Sequence, residues 1–154
     1  MPDAPEPLDL AGFLPYRLSV LANTLSRQLA ALYAERFGIT IPQWRVIAVL
    51  GQHADVTADF VCARTAMDRV SVSRAIAGLA ERKLLSRKVQ PHDRRCSMLR
   101  LSPSGRRIYS QIVPLARAYE ADLMSGLPAA GQAALKRVLD ALEARIRDAG
   151  SQQV

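Results

Sequence analysis

Arginine is the side chain that dominates the reactive surface of this sequence. The run QPHDRRCSMLRLSPSG (90–105) sets Asp93, Arg94 and Arg95 at a turn between two strand-like stretches. A guanidinium stays charged and presents five donors in a planar fork. It therefore grips phosphates, carboxylates or the acceptor edge of a base, and does not transfer protons. On a thin turn it also fits a narrow cleft of negative potential, such as a nucleic-acid minor groove. Asp93 is expected to hold a neighbouring arginine in one rotamer through a charge-assisted hydrogen bond.

A second constellation lies in MDRVSVSRAIAGLAE (67–81). Taken as a turn, MDRV, followed by a helix from Ser71, it puts Val72, Ala75, Ile76 and Leu79 on one face. The opposite face carries Ser71, Ser73, Arg74, Ala77, Gly78 and Glu81, with Arg69 in the turn before it. Gly78 costs about 1 kcal/mol against alanine inside a helix. A low face with one guanidinium suits a major groove, where Arg74 and the hydroxyls would reach base edges. The free amides at the start of the helix suit phosphate. Close helix packing is the competing use of the same small residues.

A third pattern pairs an aromatic ring with a guanidinium: Tyr16 with Arg17, and Trp44 with Arg45. Such pairs can seat a carboxylate carried on a ring. For Trp44 the competing role is a place in the core.

Charge is concentrated around the first two patterns. Residues 64–107 hold 12 of the 21 lysines and arginines but three of the 14 acids, a local charge of +9 in a chain of net +7. Such a block predicts a polyanionic partner. Enzyme chemistry finds little support. The two histidines, His53 and His92, lie far apart in sequence, and neither a glycine-rich phosphate loop nor a Gly-x-Ser-x-Gly motif occurs. Cys62 and Cys96 lack metal-knuckle spacing. Cys62 is expected to be a small buried residue, and Cys96 a solvent-side one. No cofactor or metal is implied. The start, MPDAPEPLDLAG, has no secretion-signal character, and no apolar run suffices to cross a bilayer, so a cytoplasmic protein is expected.

The elements that must position these residues are mostly helical. From Leu8 onward the pattern is helical, with Pro15 suited to a first turn. Leu18, Leu21, Leu25, Leu29 and Leu32 recur at spacings of three and four, and Gly38 suits a C-cap. Thr40 and Thr57 precede two further helices as N-caps. LSRKV and SMLRL predict a hairpin around QPHDRRC. A long helix follows Ser102, with Pro114 expected to kink it. A last helix is expected over about 129–147, with Leu135, Leu139, Leu142 and Ile146 on one side. This order predicts a mainly α fold with a small β-hairpin wing, a winged helix-turn-helix. The apolar outer helices exceed what one small basic lobe requires and predict a dimerisation module.

The run LAERKLLSRKVQPHDRRCSMLRLSPSG resembles the MarR (multiple antibiotic resistance regulator) family of winged-helix repressors. Asp93 and Arg95 match the family's Asp-x-Arg wing. Leu101, Ser102 and Gly105 match its Leu-Thr-x-x-Gly step into the fifth helix, with serine for threonine. Lys83 stands where the family usually has glycine, which predicts a local difference at the helix exit. IPQWRVIAVL (41–50) is similar to the family's second helix. The resemblance implies a homodimer on a palindromic operator in double-stranded DNA, with the recognition helix in the major groove and Arg95 in the flanking minor groove. Residues 1–38 would form an arm and first dimerisation helix, 39–101 the DNA-binding lobe, and 102–154 the C-terminal dimerisation helices, all in one compact chain. It also implies a small anionic aromatic effector. PYRLSVL (15–21) is faintly similar to regulators of aromatic-acid catabolism, some of which respond to hydroxycinnamoyl-CoA thioesters. The expected function is a repressor released by such a ligand. The alternative is a winged-helix protein-interaction or RNA-binding module without an effector.

Overall fold

Local capping chemistry sets most element boundaries in the computed structural model, which describes residues 6–89 and 97–151. Among the described residues the order is α1 (Leu14–Phe37), α2 (Ile41–Gln52), α3 (Ala58–Thr65), α4 (Arg69–Glu81), β1 (Leu85–Val89), β2 (Ser97–Leu101), α5 (Pro103–Ser125) and α6 (Ala129–Ser151). This is the mainly α fold with one hairpin that the sequence predicts. No helix among the described residues is long and apolar enough to cross a membrane.

Helix α1 starts at Leu14, not Leu8, because Asp9 organises a turn first. Its carboxylate accepts the Ala11 amide at 3.1 Å, and its carbonyl accepts the Phe13 amide at 3.0 Å. Pro15 then occupies the first helical turn, and Gly38 ends the helix at φ 62°. Helix α2 has a full capping box. Thr40 Oγ1 accepts the Gln43 amide at 3.3 Å, and Gln43 Oε1 accepts the Thr40 amide at 3.0 Å. Thr57 Oγ1 caps α3 by accepting the Phe60 amide at 3.2 Å.

Helix α4 begins two residues earlier than the sequence reading placed it. Asp68 is its N-cap, so Arg69 and Val70 are helical and only the front of MDRV turns. At the other end Lys83 takes a left-handed φ of 54°. The Leu84 amide donates to Leu79 O, and the Lys83 amide to Ala80 O, both at 2.9 Å. Glycine is the ordinary residue for this exit, and a side chain there costs roughly 1 kcal/mol.

Strands β1 and β2 pair antiparallel from Leu85↔Leu101 to Val89↔Ser97. A bridge from Val56 to Leu99 adds the α2–α3 connection to the sheet, which the sequence did not announce. Beside it, Asp55 and Arg100 form a bidentate ion pair. That guanidinium holds the Asp55 carboxyl below its ordinary range, and the Asp55 carboxylate in turn raises the pKa of Arg100.

The described chain divides into two compact units, Met1–Leu115 and Ala116–Val154, with the boundary inside α5. The first contains the core. Tyr33, Ile39, Val46, Ile47, Leu50, Val61, Leu99 and Ile112 are among its buried members, with Val72, Ala75, Ile76 and Leu79 from α4 as expected. Cys62 is half-buried and packs against this core. Gly105 at the start of α5 lies against the Leu84 carbonyl so tightly that a Cβ would sit 1.9 Å from that oxygen. Ser102 secures the contact: its amide donates to Leu84 O at 3.0 Å, and its hydroxyl to Lys83 O at 2.7 Å. The same hydroxyl accepts the Gly105 amide at 3.1 Å.

In the second unit the Gln132 side-chain amide sews the α5–α6 turn by donating to Met124 O and Leu127 O. Among the described residues of α6 none is buried, and Leu135, Val138, Leu139 and Ile146 are exposed. On α1, Leu18, Leu21 and Leu32 are exposed, while Leu25 and Leu29 are half-buried. The apolar stripe read along α1 is thus only partly used within one chain.

Candidate nucleic-acid interface

Helix α4 is positioned by three contacts. Its inner face sits in the core. Its start is fixed by Asp68, whose Oδ1 accepts the Ser71 amide at 2.8 Å and whose Oδ2 accepts the Ser71 hydroxyl at 2.7 Å. These bonds, the hydroxyl first, hold the Asp68 carboxyl below its ordinary value. Its far end is tied to α1 by Arg82. The two terminal nitrogens of Arg82 donate to Gly38 O and Phe37 O, each at 2.7 Å. A cation on the last carbonyls of α1 also complements that helix's dipole.

These contacts sort the residues singled out in the sequence. Ser73, Arg74 and Ala77 are exposed on the outer face. Among the described residues Arg74 makes no hydrogen bond or ion pair. Ser71 is half-buried, and its hydroxyl is engaged by Asp68. Gly78 faces inward to the start of α2: a Cβ there would lie 2.8 Å from Gln43 Nε2. Its small size serves helix packing, the competing use noted above. Arg69 pairs with Asp59 of α3 at 3.2 Å, both largely exposed. Asp93, Arg94 and Arg95 lie outside the described residues, as do His92 and Cys96.

The sequence reading missed Val70, which is 58% exposed in the first turn of α4. At 100° per residue Val70, Arg74, Ala77 and Glu81 fall within an arc of about 60°. The Asp68-x-x-Ser71 capping pattern was the signal that α4 begins before Ser71, and with it Val70 joins the outer face. An open groove of about 390 Å³ runs between α3, α4 and the strands, lined by Arg69, Ser73 and Arg87 among others.

The two aromatic–guanidinium pairs are not brought together. Tyr16 and Arg17 line an apolar groove of about 520 Å³ on the first half of α1, with Leu10, Leu14, Leu18 and Leu21. Trp44 packs at 5.7 Å from Tyr33 and 6.3 Å from Tyr109, ring centroid to ring centroid. Arg45 Nη2 donates to Ser26 Oγ at 3.2 Å. Ser26 lies ten residues beyond Tyr16, about 15 Å along the helix. Buried Tyr33, beside Arg45, has its phenol pushed up to about 12, chiefly by desolvation, with Arg45 opposing the rise.

A core helix pair, an outward helix whose far side is exposed, and an adjoining hairpin together define a winged helix-turn-helix lobe. Residues 37–95 match the model of the MarR family. Among solved structures, a MarR/EmrR family transcriptional regulator from Acinetobacter sp. ADP1 is 23% identical with TM-score 0.82, covering 92% of this chain and 99% of that one. BpsR of Bordetella bronchiseptica, whose DNA binding is regulated by 6-hydroxynicotinic acid, is 25% identical with TM-score 0.70, over 82% and 98%. A MarR family transcriptional regulator from Listeria monocytogenes, solved with a 26mer DNA, is 18% identical with TM-score 0.79, over 88% and 90%. No curated protein sequence matches significantly. The family match covers the lobe, and over most of its length the chain shares the winged helix-turn-helix fold of these MarR-family structures. The Acinetobacter and Listeria structures are transcriptional regulators.

Proposed function

We propose that this chain is a cytoplasmic, homodimeric, sequence-specific DNA-binding transcriptional regulator. It acts as a repressor that a small aromatic acid or its CoA thioester releases. The observation that carries the reading is the coincidence of the +9 block at residues 64–107 with the exposed outer face of α4. A polyanion that is read as well as bound needs both. Phosphate contacts from Lys and Arg supply affinity, and side chains on a groove-sized helix supply sequence preference. Ser73, Arg74 and Ala77 present the exposed face from the lobe, Arg69 and Ser71 adjoin it at the start of α4, and the sequence supplies Arg94 and Arg95 as further cations. The DNA-bound Listeria relative supports the same use of the fold.

The uncovered leucines of α1 and the apolar side of α6 support a homodimer, since large exposed apolar patches mark association surfaces. For the effector, the α1 groove offers an apolar wall with Arg17 available to a carboxylate and Tyr16 to a ring. Regulation of BpsR by an aromatic acid supports that ligand class.

The test is fluorescence anisotropy with the full chain and duplexes from its own promoter, at 50 and 200 mM salt. Affinity should fall roughly a thousandfold or more across that range. An inverted repeat should outcompete scrambled duplex and duplex RNA. Arg95→Ala should weaken binding while sedimentation still reports a dimer. Equal binding to every duplex, or a monomer at micromolar concentration, would overturn the proposal. Aromatic acids and their CoA esters should raise the Tm of the wild type but not of Arg17→Ala.

A further inference from the structure

Three of the positions that the sequence offers for reading DNA from α4 are otherwise engaged. The Ser71 hydroxyl donates to Asp68, Arg69 is paired with Asp59, and Gly78 is covered by Gln43. What remains on the outer arc is Val70, Ser73, Arg74, Ala77 and Glu81. Ser73 lies at the edge that faces the groove toward the wing. Val70 lies near the middle of the arc, and Arg74 lies one turn on at the edge opposite Ser73.

Val70 is more than half exposed in the first turn of the helix and is not among the residues packed against the core, and β-branching lowers helix propensity. In a major groove it has an apolar partner. The C5 methyl of thymine is the apolar group on a base edge there, and guanine's O6 and N7 are the acceptors that fit a guanidinium fork. Arg74, which has no partner among the described residues, supplies that fork, while the small Ala77 beside it keeps the helix low. Val70 and Arg74 are separated by about 6 Å along the helix axis. That matches about two base-pair steps of 3.4 Å. Glu81, about 16 Å from Val70 by the same rise, ends the strip with a carboxylate, where the helix leaves the phosphates.

We propose that Val70 and Arg74 set operator specificity. Val70 reads the methyl of a thymine, and Arg74 reads a guanine about two base pairs away, once in each half-site. The proposal rests on the DNA-binding reading above and deepens it.

The test begins by selecting duplexes from a random library with the full-length protein. The enriched half-site should contain a guanine with a thymine within one to three base pairs. Replacing that thymine by deoxyuridine removes the methyl and keeps the base pair. Wild-type affinity should then fall about fourfold per substituted half-site, the worth of one buried methyl. Val70→Ala, at an exposed site that tolerates alanine, should bind the thymine and deoxyuridine duplexes within twofold of each other. Arg74→Ala should lose the guanine preference, about tenfold or more. Enrichment of a half-site whose thymines can all become deoxyuridine without loss would overturn this proposal and leave the DNA-binding function standing. So would a Val70→Ala protein that keeps the full thymine preference. If no sequence is enriched, both readings fall.

Discussion

Gly105→Ala should destabilise the protein by about 2–3 kcal/mol. The new Cβ would meet Leu84 O at 1.9 Å and Leu84 C at 2.9 Å, both backbone atoms. An ordinary carbon–oxygen contact is about 3.3 Å. The start of α5 or the Leu84 peptide must therefore shift by more than an ångström. Neither is free to do so. The Leu84 carbonyl accepts the Ser102 amide, and the Leu84 amide closes the exit of α4 onto Leu79 O. Overpacking of this kind costs about 1–3 kcal/mol. Loss of a strained hydrogen bond adds about 1 kcal/mol, and the better helix propensity of alanine returns up to about 1 kcal/mol. For a chain of this length the net corresponds to a fall in Tm of about 5–10 °C. Urea unfolding followed by circular dichroism measures it, at fixed protein concentration because association would shift the midpoint. Gly150→Ala is the control: nothing lies within 4 Å of its would-be Cβ. A Gly105→Ala protein within about 0.5 kcal/mol of wild type, the ordinary range for surface changes, would refute this account of why the step into α5 requires glycine.

Arg82→Ala removes two charge-assisted bonds to the last carbonyls of α1. A loss of about 1 kcal/mol is expected at this exposed site, with Arg82→Lys recovering part of it, and the same urea titration decides. Asp55 and Asp68 both titrate below the ordinary 3.8 in the folded protein. The stability they contribute is present above the unfolded carboxylate range and lost as pH falls through the lowered folded values. Asp68→Asn keeps a capping oxygen but does not titrate, so its urea midpoint should fall less steeply than wild type below about pH 4. Tyr33 is raised from 10.0 to about 12, so its stabilisation is intact below pH 10 and declines as pH rises toward 12. Tyr33→Phe should show a shallower alkaline loss than wild type over that interval.

Much of the lobe was legible because its determinants are local. A cap is decided within four residues. Thr40 with Gln43, Thr57 with Phe60 and Ser102 with Gly105 could therefore be read along the chain, as could the limits of both strands. The inward face of α4 was equally plain, since one hydrophobic period fixes it. The same local chemistry overlooked at Asp68 hid Val70: one displaced cap moved an apolar residue from a turn onto the outer face of the helix.

By itself, then, the sequence determined the helical order, the hairpin, the core side of α4 and the concentration of positive charge on one stretch. These follow from short-range hydrogen bonding, side-chain period and composition. Only the tertiary structure decided which polar groups stay available. Gln43 fills the space over Gly78, Asp59 holds Arg69, Arg82 reaches back to α1, and Trp44 stacks between Tyr33 and Tyr109, away from Tyr16. Each of those partners lies beyond the reach of a single helical turn. No periodicity encodes such pairings; they exist because packing the core brings the surfaces of different helices together.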